Sequence, residues 1–250
     1  MVLLGSLTFA AARVDADSVG TLQMNLTLSN QFDGNGVACP AGSSETTVCF
    51  HNIPYRGTTL AAGLGDVTFA PYTFIWENYG SPCGRVHGQI AILVAGKGEI
   101  DVAIAASGCW TSDNFPPAAV TVSGGSGRYA GATGDGSWEF HVANITGPLA
   151  GFRDVTWTGT LNVDGVTFDT TPPQITGATS KVVKTRLAKG ARVTYSVKAT
   201  DAVDGTVGAA CLPKSGSLFP VGRTTVSCHP KDSSGNPATA RFTITVKRVR

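Results

Sequence analysis

Charge is scarce in this sequence: charged residues make up 14% of it, and 19 Lys and Arg nearly balance 17 Asp and Glu, for a net charge of +2. Such a balance argues against nucleic acid as a partner, because that would need a dense basic patch with interleaved aromatics. The basic residues that do gather, from Lys181 to Arg192 and at Lys247, Arg248 and Arg250, read as a solvated surface. No segment sustains a helical period. No apolar run reaches the roughly 20 residues of a helical membrane span, so none is expected. There is no C-x-x-C pair, which removes support for a zinc site or a thioredoxin-like motif. No Gly-x-Ser-x-Gly elbow, P-loop or His-Glu-x-x-His motif occurs, so no familiar hydrolase or nucleotide chemistry announces itself.

What is present is glycine, 31 residues of it, among short polar-flanked runs of Val, Ile, Thr and Phe. Glycine turns and β-branched runs together predict an all-β protein. Hydrophobic residues at 42% suffice for a globular core. The six cysteines are even in number, and the simplest of their 15 connectivities is local: Cys39–Cys49, Cys83–Cys109 and Cys211–Cys228. Three bridges require an oxidising compartment, so a secreted, extracellular protein is expected. Met1 to Ala12 reads MVLLGSLTFAAA, an apolar run followed by small residues. Residues 1–16 are therefore read as a signal peptide or its remnant, with cleavage after Ala12 or Ala16, although no basic residue precedes the run. The alternative is a first strand, Ser6 to Arg13.

Strands are expected at Val19–Leu28, Val67–Trp76, Arg85–Ala95, Gly98–Ala106, Ala118–Ser123, Ser137–Val142 and Asp154–Val163. The second is broken by Pro71. The segment Asn30 to Gly42 reads as turns. Gly96-Lys97-Gly98 is the turn of a hairpin whose open end Cys83 and Cys109 would cross-link. Asp169-Thr170-Thr171-Pro172-Pro173 marks a boundary, because two prolines cannot donate to a ladder. It divides residues 17–168 from residues 169–250. Beyond it Ile175, Val182-Val183, Val193–Val197, Thr224–Ser227 and Phe242–Val246 read as a second set of strands.

Several stretches of this second part stand in a telling order: DTTPP at Asp169 to Pro173, ATDAVDG at Ala199 to Gly205, Cys211, SGSLFPVGRTTVSC at Ser215 to Cys228, DSSGNPA at Asp232 to Ala238, and FTITV at Phe242 to Val246. In these the C-terminal part resembles the HYR domain, the hyalin-repeat module. The resemblance covers about a third of the chain. It implies an immunoglobulin-like β-sandwich, an extracellular setting and a role in adhesion or in presenting a neighbouring domain. It does not imply catalysis.

In the first part, GGSGRYAGATGDG, Gly124 to Gly136, resembles the glycine-rich hairpin of the dirigent and allene oxide cyclase families. Gly127, Gly131 and Gly134 would permit sharp turns, and Tyr129 would tuck into the wall. That resemblance implies an eight-stranded antiparallel β-barrel able to hold one small apolar ligand. The catalytic residues of those families have no counterparts in this sequence.

Alternation places Arg85, His87 and Gln89 on one face of their strand, Glu99 and Asp101 on one face of the next, and Glu139 and His141 on one face of a third. If these faces lined a cavity, Arg85, His87, Glu99, Asp101, Glu139 and His141 would form an acid–base set of the kind an isomerase uses. If they faced solvent, they would be ordinary strand exteriors with cross-strand ion pairs. The apolar face is the normal interior, so solvent is the expected side. Trp138 and Trp157 fall on apolar faces and are expected in the core, while Trp110 follows Cys109 in a loop. His51 and His229 lie beside turns and have no metal partner at a recognisable spacing. Asp169, Asp201, Asp204 and Asp232 sit in turns, and carboxylates in such places sometimes hold calcium. Without the spacing of a calcium loop, turn capping is the expected role, and no metal or cofactor is assigned. Asn25-Leu26-Thr27 and Asn144-Ile145-Thr146 are glycosylation sequons.

The sequence is thus read as a secreted all-β protein, a barrel-like part followed by a HYR sandwich. Its expected role is binding or adhesion, with a cell-surface or matrix polymer, polysaccharide or protein, as partner. The alternative is a barrel enzyme or carrier of a small apolar ligand.

Overall fold

The computed structural model describes residues 18–54, 59–78, 83–109, 116–142 and 152–249. Among them are nineteen strands and no helix, so the class is all-β. The apolar run at Met1–Ala12 lies outside the described residues, as do Trp110 and the side chain of His141.

The first ten strands are β1 (Ser18–Val37), β2 (Val48–Pro54), β3 (Thr59–Ala61), β4 (Gly65–Phe69), β5 (Tyr72–Glu77), β6 (Cys83–Val94), β7 (Gly98–Cys109), β8 (Ala118–Gly127), β9 (Thr133–Val142) and β10 (Phe152–Phe168). They form one sheet in the order β3-β4-β6-β5-β2-β1-β10-β9-β8-β7. An additional antiparallel pairing of β6 with β7, from Cys83 opposite Cys109 to Val94 opposite Gly98, links the far strand of this order back to β6. Strand β6 is shared: β4 pairs with its C-terminal half and β5 with its N-terminal half. Pro71 lies between β4 and β5, where a missing N–H costs no ladder bond.

The core follows from strict alternation. Leu22, Met24, Leu26 and Leu28 of β1 are buried, as are Ile90, Ile92 and Val94 of β6 and Ile100, Val102 and Ile104 of β7. Trp138, Trp157 and Tyr129 are the largest fully buried side chains and join the same cluster. Each such Leu or Ile contributes roughly 1.5–3 kcal/mol by leaving water, so this face has a fixed side and register. Tyr129 sits in the turn after β8, with its amide on Ser126 O at 3.0 Å, and burial pushes its phenol up to about 12.

Two expectations fail for physical reasons. The segment 30–37 is not a run of turns: β1 continues through it and pairs with β2, with a register shift between Asp33 and Gly36. A bulge absorbs the extra residues without ending the ladder. Residues Val193 to Val197 form no strand. Their polar groups go instead to residues 215–217: the Val193 amide to Ser217 O, the Gly216 amide to Val193 O, and the Tyr195 amide to the Ser215 hydroxyl. β-Branched content alone cannot distinguish a ladder from these irregular bonds.

The C-terminal strands are β11 (Gln174–Thr176), β12 (Lys181–Thr185), β13 (Ala191–Arg192), β14 (Lys198–Asp201), β15 (Gly205–Val207), β16 (Cys211–Leu212), β17 (Leu218–Phe219), β18 (Gly222–Cys228) and β19 (Ala240–Arg248). They make three small sheets, β11-β14-β15, β12-β19-β18-β16 and β13-β17, in which only β12 and β19 run parallel. Their core is separate and small: Val193, Phe219, Val226, Cys228, Phe242, Ile244 and Val246.

All three bridges of the local pairing are present, Cys39–Cys49, Cys83–Cys109 and Cys211–Cys228, and no cysteine is free. Cys83 and Cys109 face each other across β6 and β7, at the open end of the hairpin. Cys211 faces Cys228 across β16 and β18.

Candidate functional site

Strand β10 runs out of the N-terminal sheet at Phe168, and Asp169 is the next residue. Three other aspartates meet it there. Asp201 ends β14, Asp204 follows in the turn to β15, and Asp232 lies in the loop between β18 and β19. One carboxylate oxygen from each of Asp169, Asp201, Asp204 and Asp232 lies within 4.8 Å of the others. Asp169 and Asp232 are buried, with 7% and 5% of their surface exposed.

Asp169, Asp201 and Asp232 are each held by their own turn, and Asp204 by the neighbouring loop. Asp201 Oδ1 accepts the amides of Val203 at 2.7 Å and Asp204 at 3.0 Å. Asp169 Oδ1 accepts the Thr171 amide at 3.2 Å. Asp232 Oδ1 accepts the Asn236 amide at 2.8 Å, and its Oδ2 accepts from Asn236 Nδ2 at 2.8 Å. Asn236 Nδ2 also donates to Asp169 O at 2.9 Å, tying the linker to the loop. Asp204 accepts the hydroxyl and the amide of Ser233, at 2.6 and 2.8 Å. Those two bonds hold its carboxyl below the usual range. Capping, the expected role, is therefore what Asp169, Asp201 and Asp232 do through their Oδ1 atoms, while Asp204 bonds across to Ser233.

Two of the other oxygens are less settled. Asp169 Oδ2 and Asp201 Oδ2 are sealed from solvent and have no partner in hydrogen-bonding geometry. Burial raises the pKa of Asp169, and the charges of Asp232 and Asp201 push it the same way. The Thr171 amide and the Ser234 hydroxyl favour the ionised form but do not outweigh them.

The N-terminal sheet supplies the rest of the surroundings. Lys97, in the β6–β7 turn, donates its ammonium to Leu64 O at 2.6 Å. Burial and Arg128 lower its pKa, while Asp204, Asp169 and Asp232 act against that shift. Among the described residues no ion pair joins Lys97 to these aspartates. The Asp232–Asn236 loop lies directly on the turn between β3 and β4. A methyl group on Gly65 would strike Ser233 O, and one on Gly235 would strike Ala61 O. Glycine at both positions lets the two backbones touch.

The polar set on the strands stands elsewhere. Arg85, His87 and Gln89 point away from the core of β6, and Glu99 and Asp101 away from that of β7. Glu139 is exposed on β9. His87 Nε2 lies 3.3 Å from Glu77 Oε1, a cross-strand pair. Arg85 and His87 border a shallow open groove on this outer face with Thr73, Gln89 and Ala103. The interior opposite them is filled by the apolar cluster. His229 is exposed and lies 3.2 Å from the Thr239 hydroxyl.

Sequence reasoning singled out the four aspartates but not their meeting. They are spread from position 169 to position 232, and only the folding of the linker, the β14–β15 turn and the β18–β19 loop to one place unites them. The residues that carry those loops also carry a family signature. Residues 168–246 match the HYR domain. Two sea-urchin proteins named hyalin align with the chain. That of Strongylocentrotus purpuratus is 35% identical over 94 residues, covering 36% of this chain and 8% of its own length. That of Lytechinus variegatus is 38% identical over 96 residues, covering 37% and 18%. The chain thus spans less than a fifth of either relative. The HYR match contains all four aspartates and the Cys211–Cys228 bridge. It begins at Phe168, so the resemblance of Gly124–Gly136 to dirigent and cyclase hairpins rests on those residues alone.

Proposed function

We propose that the protein is a non-enzymatic binding or adhesion protein of the cell exterior. The HYR module in this reading anchors and presents the N-terminal sheet to a cell-surface or matrix polymer. The observation that carries the proposal is the HYR match over residues 168–246. Three disulfides support an oxidising, extracellular setting. The placement of Arg85, His87, Glu99, Asp101 and Glu139 on the outside of a filled sheet also favours surface contact over chemistry in a cavity.

The test is retention of the labelled, disulfide-intact chain on whole cells, on matrix polysaccharides and on matrix proteins. Saturable retention that unlabelled chain displaces is expected on one of these surfaces. Retention on none of them, together with stoichiometric capture of a small apolar ligand, would overturn the proposal.

A further inference from the structure

We infer that Asp169, Asp201, Asp204 and Asp232 form a calcium site that clamps the HYR module to the N-terminal sheet. Four carboxylates drawn together inside a partly buried junction repel one another, and the fold must compensate by protonation or by a cation. The surrounding donors do not complete that compensation. The hydrogen bonds described above end on Asp169 Oδ1, on Asp201 Oδ1 and on both oxygens of Asp204 and Asp232, whereas Asp169 Oδ2 and Asp201 Oδ2 remain sealed without a hydrogen-bond partner. Asp169 is more than nine-tenths buried, so water does not supply one either. The charge of Lys97 is felt by Asp204, Asp169 and Asp232, but its ammonium bonds Leu64 O and, among the described residues, makes no ion pair with any of them.

The spacing suits a hard ion of calcium's size. Calcium–oxygen bonds of about 2.4 Å place oxygens on opposite sides of the ion about 4.8 Å apart. The four candidate ligand atoms all fall within 4.8 Å of one another. Magnesium demands a near-ideal octahedron at about 2.0–2.1 Å and keeps several of its waters, which suits four carboxylates from three separate segments less well. The donor set, carboxylate oxygens with no sulfur or imidazole, excludes a preference for zinc or copper.

The position gives the ion a structural consequence. Asp169 belongs to the linker, Asp201 and Asp204 to the β14–β15 turn, and Asp232 to the loop that rests on Ala61 and Gly65. One ion bound to all four would fasten the linker, the end of the sandwich and the N-terminal sheet at a single point.

The experiment is a calcium titration of the intact chain by calorimetry after chelator treatment, with magnesium in parallel. One calcium per chain is expected, with a dissociation constant on the order of 10⁻⁴–10⁻³ M, the range of extracellular modules. Magnesium should bind at least about tenfold more weakly, given its shorter bonds. The variant Asp201→Asn keeps an oxygen for the Val203 and Asp204 amides and should lose at least about tenfold in calcium affinity, since a charged ligand is removed. Paramagnetic broadening by manganese on the unmodified protein locates the ion without any substitution. It should fall on the amides of 169–171, 201–204 and 232–236. No saturable calcium binding, equal magnesium affinity, unchanged affinity in Asp201→Asn, or broadening centred elsewhere would each overturn the inference.

Discussion

Replacing Cys211 and Cys228 together by alanine would test whether the HYR module stands on its own core or on its staple. The bridge closes a loop of 17 residues. In the loop-entropy treatment, opening it returns about 3 kcal/mol of freedom to the unfolded chain. A module of roughly 80 residues has only about 4–12 kcal/mol of stability in total, and its core contains just seven buried apolar side chains, one of them Cys228 itself. Strand β16 is two residues long and pairs with β18 only at Cys211–Cys228 and Leu212–Ser227, so little else holds that segment. Urea denaturation can read the effect by part, because Trp76, Trp110, Trp138 and Trp157 all precede the module and its sole aromatic phenol is Tyr195. Tryptophan fluorescence reports the N-terminal sheet, and far-UV circular dichroism reports both parts. With a slope of about 1 kcal/mol per molar urea for so small a domain, the fluorescence-silent transition should move down by about 3 M. The fluorescence midpoint should not move. A displacement of the silent transition below about 0.5 M, well under what the lost loop entropy demands, would refute the reasoning. So would an equal displacement of both transitions.

Other expectations follow from single contacts. Ile100→Ala removes a fully buried side chain from the large core and should lower the fluorescence-detected stability by about 2–5 kcal/mol while leaving the silent transition in place. Gly235→Ala should cost about 1–3 kcal/mol, because Gly235 has φ of 89° and its new methyl would strike Ala61 O. Hydrogen exchange should show the loss as faster exchange at the amides of 61–65 and 232–236, and unchanged exchange there would contradict the packed junction. Tyr129 has its pKa raised to about 12 in the fold. Its stabilising share is therefore complete below the unfolded value near 10 and is lost as pH rises toward 12. Alkaline denaturation of the N-terminal sheet should shift upward in Tyr129→Phe, and an unchanged profile would place the phenol in water. The oxidised, unfolded protein should react with no thiol reagent, since all six cysteines are paired.

Much of this architecture was written locally. Leu22, Met24, Leu26 and Leu28 alternate with polar neighbours, and a period of two survives any rearrangement of the strands around them. The Gly96-Lys97-Gly98 turn, the three short-range disulfides and the HYR stretches likewise depend on residues close in the chain. The tertiary structure decided whatever depends on distant neighbours. It carried β1 past Leu28 to Val37 because β2 was there to pair with it. It denied Val193–Val197 a strand because Ser215 and Ser217 took their polar groups. It turned Arg85, His87, Glu99 and Asp101 outward, a choice that alternation poses but cannot make, since it defines two faces without naming the inner one. The four aspartates show the same division. The turns of Asp169, Asp201 and Asp232 were legible because a side chain capping an amide two to four residues away is a local event, unlike the bond from Ser233 to Asp204. Their convergence was not, because the linker, the β14–β15 turn and the β18–β19 loop meet only after the C-terminal sheets have formed, and the charge repulsion that makes the place notable arises from that meeting alone.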